Sequence, residues 1–140
     1  MRDLPKTLEE FNSFGEGYLP SLLGFEVLSF EPGKLQARMK IRPELLAPNG
    51  YLHAASVIAL ADTACGYGTI TSLPAGASGF TTIELKSNFL GTCREGSIMA
   101  DAVCIHAGRT TQVWDALVID ESNRKAIAVF RCTQVIFYKT

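Results

Sequence analysis

The sequence has no CxxC pair, no excess of basic residues and few charged residues for its length. Its four cysteines are spread along the chain, and neither histidine lies near a pair of them, so a structural zinc site is not expected. The net charge of −1 excludes the broad basic face that nucleic acid requires, and no nucleic-acid partner is predicted. Charged residues make up 19% of the chain, below the usual ~25%, which suggests that another subunit covers part of the surface.

The sequence also shows no pattern typical of a secretory signal or of a membrane span. Residues 1–6 hold no apolar stretch of the kind that a secretory signal needs. The longest uncharged run, residues 63–83, is rich in Gly, Thr and Ser, and it predicts a helix end and a loop rather than a membrane span. Since the thiols are also expected to be free, we expect a cytoplasmic protein that does not associate with membranes.

The length and the hydrophobic pattern predict one α+β domain that covers residues 1–140. Residues 52–69 are apolar almost all round and too long for a strand, which indicates a helix buried on nearly every side. A short helix capped by Thr7 is expected at 7–18, and strands are expected at 25–30, 35–41, 80–89, 97–107, 109–120 and 125–138. Tight turns at 107–108 and 121–123 indicate consecutive hairpins, and the last four strands are expected to form an antiparallel meander. Because one helix covers only part of a sheet, this architecture also favours a dimer.

Asp62 is the only charged residue between Glu44 and Glu84, and it lies in the middle of the predicted long helix. A buried carboxylate is costly unless it is hydrogen-bonded, protonated or required for chemistry. Asp62 is therefore the first candidate for a catalytic group. The alternative is an Asp on a narrow solvent-facing strip of the helix, or one that binds a nearby backbone N–H.

The turn before this helix supplies the next candidates. Asn49-Gly50 is a strong turn signal because both residues tolerate positive φ, and His53 then opens the helix. The N–H groups of Ala54 and Ala55 lie in the first turn, where a helix offers them no acceptor, so they are candidate donors to an oxyanion. His53 either orients the turn and contacts a polar ligand, or simply caps and packs the helix.

Two further groups of candidates lie in the β-rich part. Thr81 and Thr82 follow the Gly-rich loop, where a hydroxyl could hold a water or a carboxylate, although Thr is also a common strand residue. Gly108, Arg109 and Thr110 form a predicted hairpin tip. A basic tip suits a phosphate group, although a solvated turn is the commoner explanation.

Residues 49–56 and 60–64 resemble the signature of hotdog-fold acyl-CoA thioesterases, in the phenylacetate-pathway-like branch of the 4-hydroxybenzoyl-CoA thioesterase superfamily. In that signature a Gly-x-x-His-Gly-Gly turn leads into a helix that carries Asp or Glu nine residues after the His. Here Gly50 opens the turn, and His53 and Asp62 have that spacing. The stretches 80–85 and 108–110 are also similar, so the resemblance covers residues 22–137.

The resemblance implies a hotdog fold, in which a curved antiparallel sheet wraps a long central helix, and it implies a dimer that pairs into a tetramer. The implied reaction is hydrolysis of an acyl-CoA thioester without a metal or other cofactor. Asp62 would act as a general base on water or as a nucleophile through an anhydride. The N–H of Ala54 would stabilise the oxyanion, Thr82 would place the water or Asp62, and Arg109 would approach the CoA phosphates.

The sequence departs from the family pattern in two places. Ala54 and Ala55 replace the usual Gly-Gly, which keeps the backbone donor but narrows the approach to it. Ala47 stands where the family often has Asn or Gln, and Asn49 is the nearest substitute. Two alternatives remain, namely a hotdog hydratase or dehydratase acting on acyl thioesters, and an acyl-CoA-binding module without catalysis.

Helix geometry adds a prediction about the number of chains in the active site. Ala54 and Asp62 are eight residues apart, which corresponds to about 12 Å along a helix axis. A base and an oxyanion donor must both reach one thioester carbonyl. The two residues of one chain cannot do this, so each site is expected to combine Asp62 of one chain with Ala54 of a second, antiparallel chain.

Overall fold

The computed structural model describes residues 3–140, which form a six-stranded antiparallel sheet packed on one long helix. The predicted α+β architecture is confirmed. In chain order the elements are α1 (Leu8–Phe14), α2 (Leu19–Leu23), β1 (Glu26–Glu31), β2 (Lys34–Lys40), a 3-10 turn (Pro43–Leu45), α3 (Ala54–Thr71), β3 (Ala77–Phe89), β4 (Ser97–Ala107), β5 (Thr111–Asp120) and β6 (Ala126–Tyr138). None of the helices in residues 3–140 is long and apolar enough to cross a membrane.

Helix α1 begins at the predicted cap but ends earlier than expected. The Thr7 hydroxyl accepts a hydrogen bond from Glu10 N–H at 3.2 Å, and the Glu10 carboxylate accepts one from Thr7 N–H at 3.1 Å. This reciprocal pair satisfies two backbone donors that the helix itself cannot use. The helix ends at Phe14 rather than near residue 18 because Gly15 and Gly17 follow, and Gly17 has φ 81°.

The strand order corrects the predicted meander. The order is β1-β2-β4-β5-β6-β3, so β4, β5 and β6 form consecutive hairpins as expected. Strand β3, which starts at Ala77 rather than at residue 80, does not pair with β4. Residues 90–96 are too long for a tight turn, and they carry the chain across the sheet so that β4 pairs with β2. Among the strands of residues 3–140, β3 pairs only with β6 and lies at the edge of the sheet.

Helix α3 packs against the sheet through small side chains. It starts at Ala54, two residues later than predicted, and continues to Thr71. Gly68 faces the indole of Trp114, which is fully buried. A Cβ atom at Gly68 would lie only 2.6 Å from this ring, so the glycine permits the close approach of β5 to the helix.

Candidate active site

The start of α3 is capped in a way that leaves one backbone donor free. His53 is the N-cap, and its Nδ1 atom accepts a hydrogen bond from Ala55 N–H at 2.9 Å. Ala55 was expected to offer a second free donor, and this is wrong because the imidazole occupies its N–H. Within residues 3–140, no acceptor is bound to Ala54 N–H. Ala54 therefore carries the available donor at this helix end.

The loop before the cap is held by its own hydrogen bonds. Asn49 Oδ1 accepts from Tyr51 N–H at 3.2 Å, and Gly50 N–H donates to the Ala47 carbonyl at 2.9 Å. Gly50 has φ 84°, which favours glycine at this position. Asn49 and Gly50 thus shape the turn that presents the helix start, and contact of either residue with a substrate stays a prediction.

A cavity of about 470 Å³ opens beside Ala54. The loop, the first turns of α3 and the end of β3 line it, mainly with apolar side chains: Tyr51, Leu52, Ala54, Val57, Phe89, Leu90, Gly91 and Thr92. Leu52 N–H donates to Thr92 Oγ1 at 3.0 Å, which ties the loop to the segment after β3. The guanidinium of Arg94 lies 4.8 Å from the centre of the Tyr51 ring. The free donor of Ala54 therefore borders an apolar space with aromatic walls, which the sequence reasoning missed.

Asp62 lies on α3, eight residues after Ala54, and its side chain is half-buried. Its Oδ1 atom is 3.3 Å from Thr82 Oγ1 on β3. Burial raises the pKa of Asp62 above the ordinary value of 3.8. The alternative in which Asp62 binds a nearby backbone N–H is not observed, because the contact of its carboxylate is a side-chain hydroxyl.

Gln134 on β6 extends this contact, and the sequence reasoning did not identify it. The Thr82 hydroxyl oxygen is also 2.9 Å from Gln134 Oε1, and Gln134 is fully buried. The signal was present in the alternation of β6, where Gln134 stands between the inward positions Cys132 and Ile136. A polar residue in the apolar half of a period-two pattern indicates a buried polar contact.

The remaining candidates lie elsewhere. Thr81 is exposed, and its side chain projects on the opposite side of β3 from that of Thr82. The Gly108–Thr110 tip precedes β5, which begins at Thr111 rather than at Arg109 as expected. The Arg109 guanidinium lies 5.6 Å from the centre of the Tyr138 ring, and the Arg109 carbonyl accepts a hydrogen bond from the Tyr138 hydroxyl.

The hairpin tip and the helix start are at opposite ends of α3. Gln112 Nε2, near the start of β5, donates to the Ser72 carbonyl at 2.8 Å, directly after the last residue of α3. Arg109 is therefore near the C-terminal end of the helix, whereas Ala54 is at its N-terminal end. Asp62 is about 12 Å from Ala54 along the axis. One chain does not bring these groups together.

The chemistry available to these residues is that of acid, base and hydrogen-bond donor. Across residues 3–140, no group of three or more His, Cys, Asp and Glu side chains is placed to hold a metal ion. Asp62 supplies a carboxylate of raised basicity next to a hydroxyl, and Ala54 supplies a donor suited to developing negative charge.

Comparison with known proteins identifies the family. The family model of the thioesterase superfamily matches residues 49–127, which include Ala54, Asp62 and Thr82. The chain belongs to the thioesterase superfamily. The predicted resemblance to hotdog-fold thioesterases is thereby confirmed, and so is the predicted hotdog fold.

Relatives within the thioesterase superfamily match most of the chain. A 1,4-dihydroxy-2-naphthoyl-CoA hydrolase of Listeria monocytogenes is 32% identical over 115 residues, covering 82% of this chain and 92% of the relative. The crystal structure of a mutant thioesterase from Pseudomonas aeruginosa superposes with a TM-score of 0.87 and 28% identity, covering 97% of this chain and 96% of the other. A thioesterase structure from Haemophilus influenzae gives a TM-score of 0.87 and 29% identity, covering 96% and 92%.

Proposed function

We propose that this protein hydrolyses an acyl-CoA thioester to the free acid and CoA, in active sites that two chains share. The observation that carries the proposal is the half-buried Asp62 against Thr82, in the middle of the long helix of a thioesterase-superfamily member. The relative from Listeria monocytogenes, named as a hydrolase of a CoA thioester, supports this substrate class.

Asp62 has the chemistry of a general base for this reaction. Its ionised carboxylate removes a proton from water as the water oxygen attacks the thioester carbonyl. The negative charge that forms on the carbonyl oxygen is stabilised by Ala54 N–H. As the C–S bond breaks, the thiolate of CoA takes the proton from Asp62 and leaves as the thiol. In the alternative route, the carboxylate attacks the carbonyl itself, the C–S bond breaks and CoA leaves as the thiolate. Water then hydrolyses the resulting anhydride and restores the carboxylate, and the proton that is released goes to the thiolate.

Strand β3 supports the involvement of a second chain. It is a thirteen-residue edge strand whose exposed side chains include Ile83, Leu85 and Phe89, and such an edge is a template for pairing with another strand. Asp62 contacts the middle of β3 through Thr82, whereas Ala54 shares a cavity with the end of β3. Antiparallel pairing of β3 with β3 of a second chain therefore brings Asp62 of one chain towards Ala54 of the other.

The charges on β3 favour one register for this pairing. Glu84 and Lys86 lie on the outer face of the strand, and Leu85 lies between them on the inner face. With Leu85 on the two-fold axis, Glu84 of each chain is opposite Lys86 of the other, and opposite charges in cross-strand pairs are favourable. Thr82 then lies towards the end of the other chain's β3, where Phe89 lines the cavity.

The same proposal includes the larger assembly and the compartment. Leu117 and Val129 are cross-strand neighbours, exposed on the outer face of the sheet, and they are suited to contact between two dimers in a tetramer. All four cysteines are free, which agrees with a reducing cytoplasm. Arg109, exposed at its hairpin tip, is proposed to approach the phosphates of CoA.

A thiol-release assay over short, long and aromatic acyl-CoAs tests the activity. We expect Asp62→Asn to keep the fold but reduce kcat by about 10²–10⁴, the usual contribution of a general base. Wild-type kcat in the folded variant would contradict the role of Asp62. Hydration of a crotonyl thioester without CoA release would favour the hydratase alternative. Tight binding of acyl-CoA with no turnover of any substrate would favour the binding module.

Mixing two inactive variants tests the shared site. Ala54 is the first residue of α3 and follows His53, whose ψ of 134° is compatible with a following proline, so Ala54→Pro removes the N–H without breaking the helix. Ala54→Ser retains the N–H and is the matched control. We expect mixed dimers of Asp62→Asn and Ala54→Pro chains to regain one working site. Confirmed mixed dimers without recovered activity, or a fully active monomer, would reject the shared site.

A further inference from the structure

The Thr82 hydroxyl lies between two acceptors but carries a single proton. Its oxygen is 2.9 Å from Gln134 Oε1 and 3.3 Å from Asp62 Oδ1. The shorter distance is within the usual range for a strong O–H donor, whereas the longer one is beyond it. Gln134 is fully buried, and its Nε2 atom faces Cys132 Sγ at 3.5 Å, so the carbonyl end of the amide is directed at Thr82. The distances therefore favour donation of the Thr82 proton to Gln134.

We propose that Gln134 is a positioning residue that withdraws the Thr82 proton from Asp62 and leaves an oxygen lone pair facing the carboxylate. The inference rests on the proposed role of Asp62 as the base. Gln134 itself touches neither substrate nor reacting atoms, and it acts through Thr82.

This direction of the hydrogen bonds suits the step in which Asp62 removes a proton from water. Once protonated, Asp62 donates from Oδ1 to Thr82 Oγ1 while Thr82 continues to donate to Gln134. The three groups then form one chain of hydrogen bonds with the same direction, and each bond strengthens the next. The proton remains on Asp62 until the thiolate takes it. Stabilising the protonated carboxyl in this way makes the ionised carboxylate a stronger base.

Other titratable groups near Asp62 do not provide this effect. Cys65 on α3 and Cys132 on β6 are buried thiols, and the contact with Cys132, together with burial, raises the pKa of the Cys65 thiol. On the outer face of the sheet, Asp115 and Arg131 pair with each other at 2.5 Å. Glu84 and Lys86 of β3 also lie on that outer face, in the solvent. Burial and the Thr82 hydroxyl are the influences on Asp62, so the direction of the hydroxyl matters.

A second buried glutamine offers a matched control. Gln112 on β5 is the cross-strand neighbour of Gln134 and is equally buried. It accepts from Trp114 Nε1 at 2.8 Å and donates to the Ser72 carbonyl. Gln112→Met therefore imposes a comparable loss of a buried amide without changing the environment of Asp62.

The test is a titration of the Asp62 carboxyl by ¹³C NMR, together with the pH profile of kcat/KM for thiol release. In Gln134→Met the Thr82 hydroxyl loses its amide acceptor, so its proton turns to Asp62. A hydrogen bond donated to a carboxylate favours the ionised form of that group. We expect the pKa of Asp62 to fall and the acidic limb of the profile to move to lower pH. Gln134→Asn, whose amide is too short to reach Thr82, should behave in the same way if the methionine variant does not fold.

Two further variants make the result decisive. In a Thr82→Val background, Gln134→Met should no longer move the pKa of Asp62, and Gln112→Met should leave it unchanged in the wild-type background. An unchanged or raised pKa in both Gln134 variants would overturn the inference, as would an equal shift in Gln112→Met. The NMR titration needs no turnover. A lowered pKa without any thiol release would therefore support the positioning role of Gln134 and refute the proposed hydrolysis.

Discussion

Alanine at Gly68 would measure how tightly the sheet is wrapped around α3. The added Cβ would lie 2.6 Å from Cζ3 and 2.8 Å from Cη2 of Trp114, whereas carbon atoms in contact are ordinarily about 3.5 Å apart. The indole must therefore move by roughly 0.7–0.9 Å. Trp114 is fully buried, and movement of its ring also strains the bond from Nε1 to Gln112 Oε1.

The magnitude follows from three opposing contributions. Overpacking of a dense core costs about 1–3 kcal/mol, and strain in the buried indole hydrogen bond adds about 1 kcal/mol. The higher helix propensity of Ala relative to Gly stabilises the folded state by about 1 kcal/mol. Gly68→Ala should therefore lower the free energy of unfolding by about 1–3 kcal/mol. For a chain of 140 residues, this corresponds to a fall in Tm of about 3–10 °C.

Gly66 provides the control within the same helix. A Cβ at Gly66 would lie 3.5 Å from the Phe80 ring, which is ordinary contact, so Gly66→Ala should gain about 1 kcal/mol from helix propensity alone. Thermal unfolding followed by far-UV circular dichroism, at equal protein concentrations, compares the two variants. The reasoning is refuted if Gly68→Ala is as stable as Gly66→Ala, because the indole would then have room that the structure does not show.

The remaining predictions concern the candidate base, the first helix and the hairpin tip. Because burial raises the pKa of Asp62 in the folded state, the free energy of unfolding should fall as pH rises from below 3.8 through the folded pKa. Asp62→Asn should lose that decline in urea unfolding between pH 3 and 7, and an identical pH dependence in both proteins would contradict it. Thr7→Ala removes the α1 cap and should lower the free energy of unfolding by about 1 kcal/mol, and an unchanged Tm would contradict this role of Thr7. Arg109→Ala should raise KM for acyl-CoA more than it lowers kcat, and an unchanged KM would argue against phosphate contact.

The sequence predicted those features that depend on local patterns. The apolar run around Asp62 marked the long helix, and the spacing from His53 marked the family signature, because helix periodicity and caps are encoded within a few residues. Asp62 and Thr82 are in contact, and the role that the resemblance implied for Thr82 stays a prediction.

Features that depend on distant segments were missed. The pairing of β3 with β6 instead of β4 was not predicted, because strand order depends on contacts between residues far apart in the chain. The cavity beside Ala54 needed the end of β3 to fold back against the start of α3. Gln134 was overlooked because the face of β6 on which its side chain lies was not considered. A period-two reading of β6 would have found it.

The cap at the start of α3 also fixes the tautomer of an imidazole. Since Nδ1 of His53 accepts from Ala55 N–H, the neutral ring must carry its own proton on Nε2. His53 consequently offers its surroundings a ring N–H and has no nitrogen lone pair left with which to take a proton from a substrate. Any polar group that approaches this end of the helix meets two donors of different kinds, the amide of Ala54 and the imidazole Nε2.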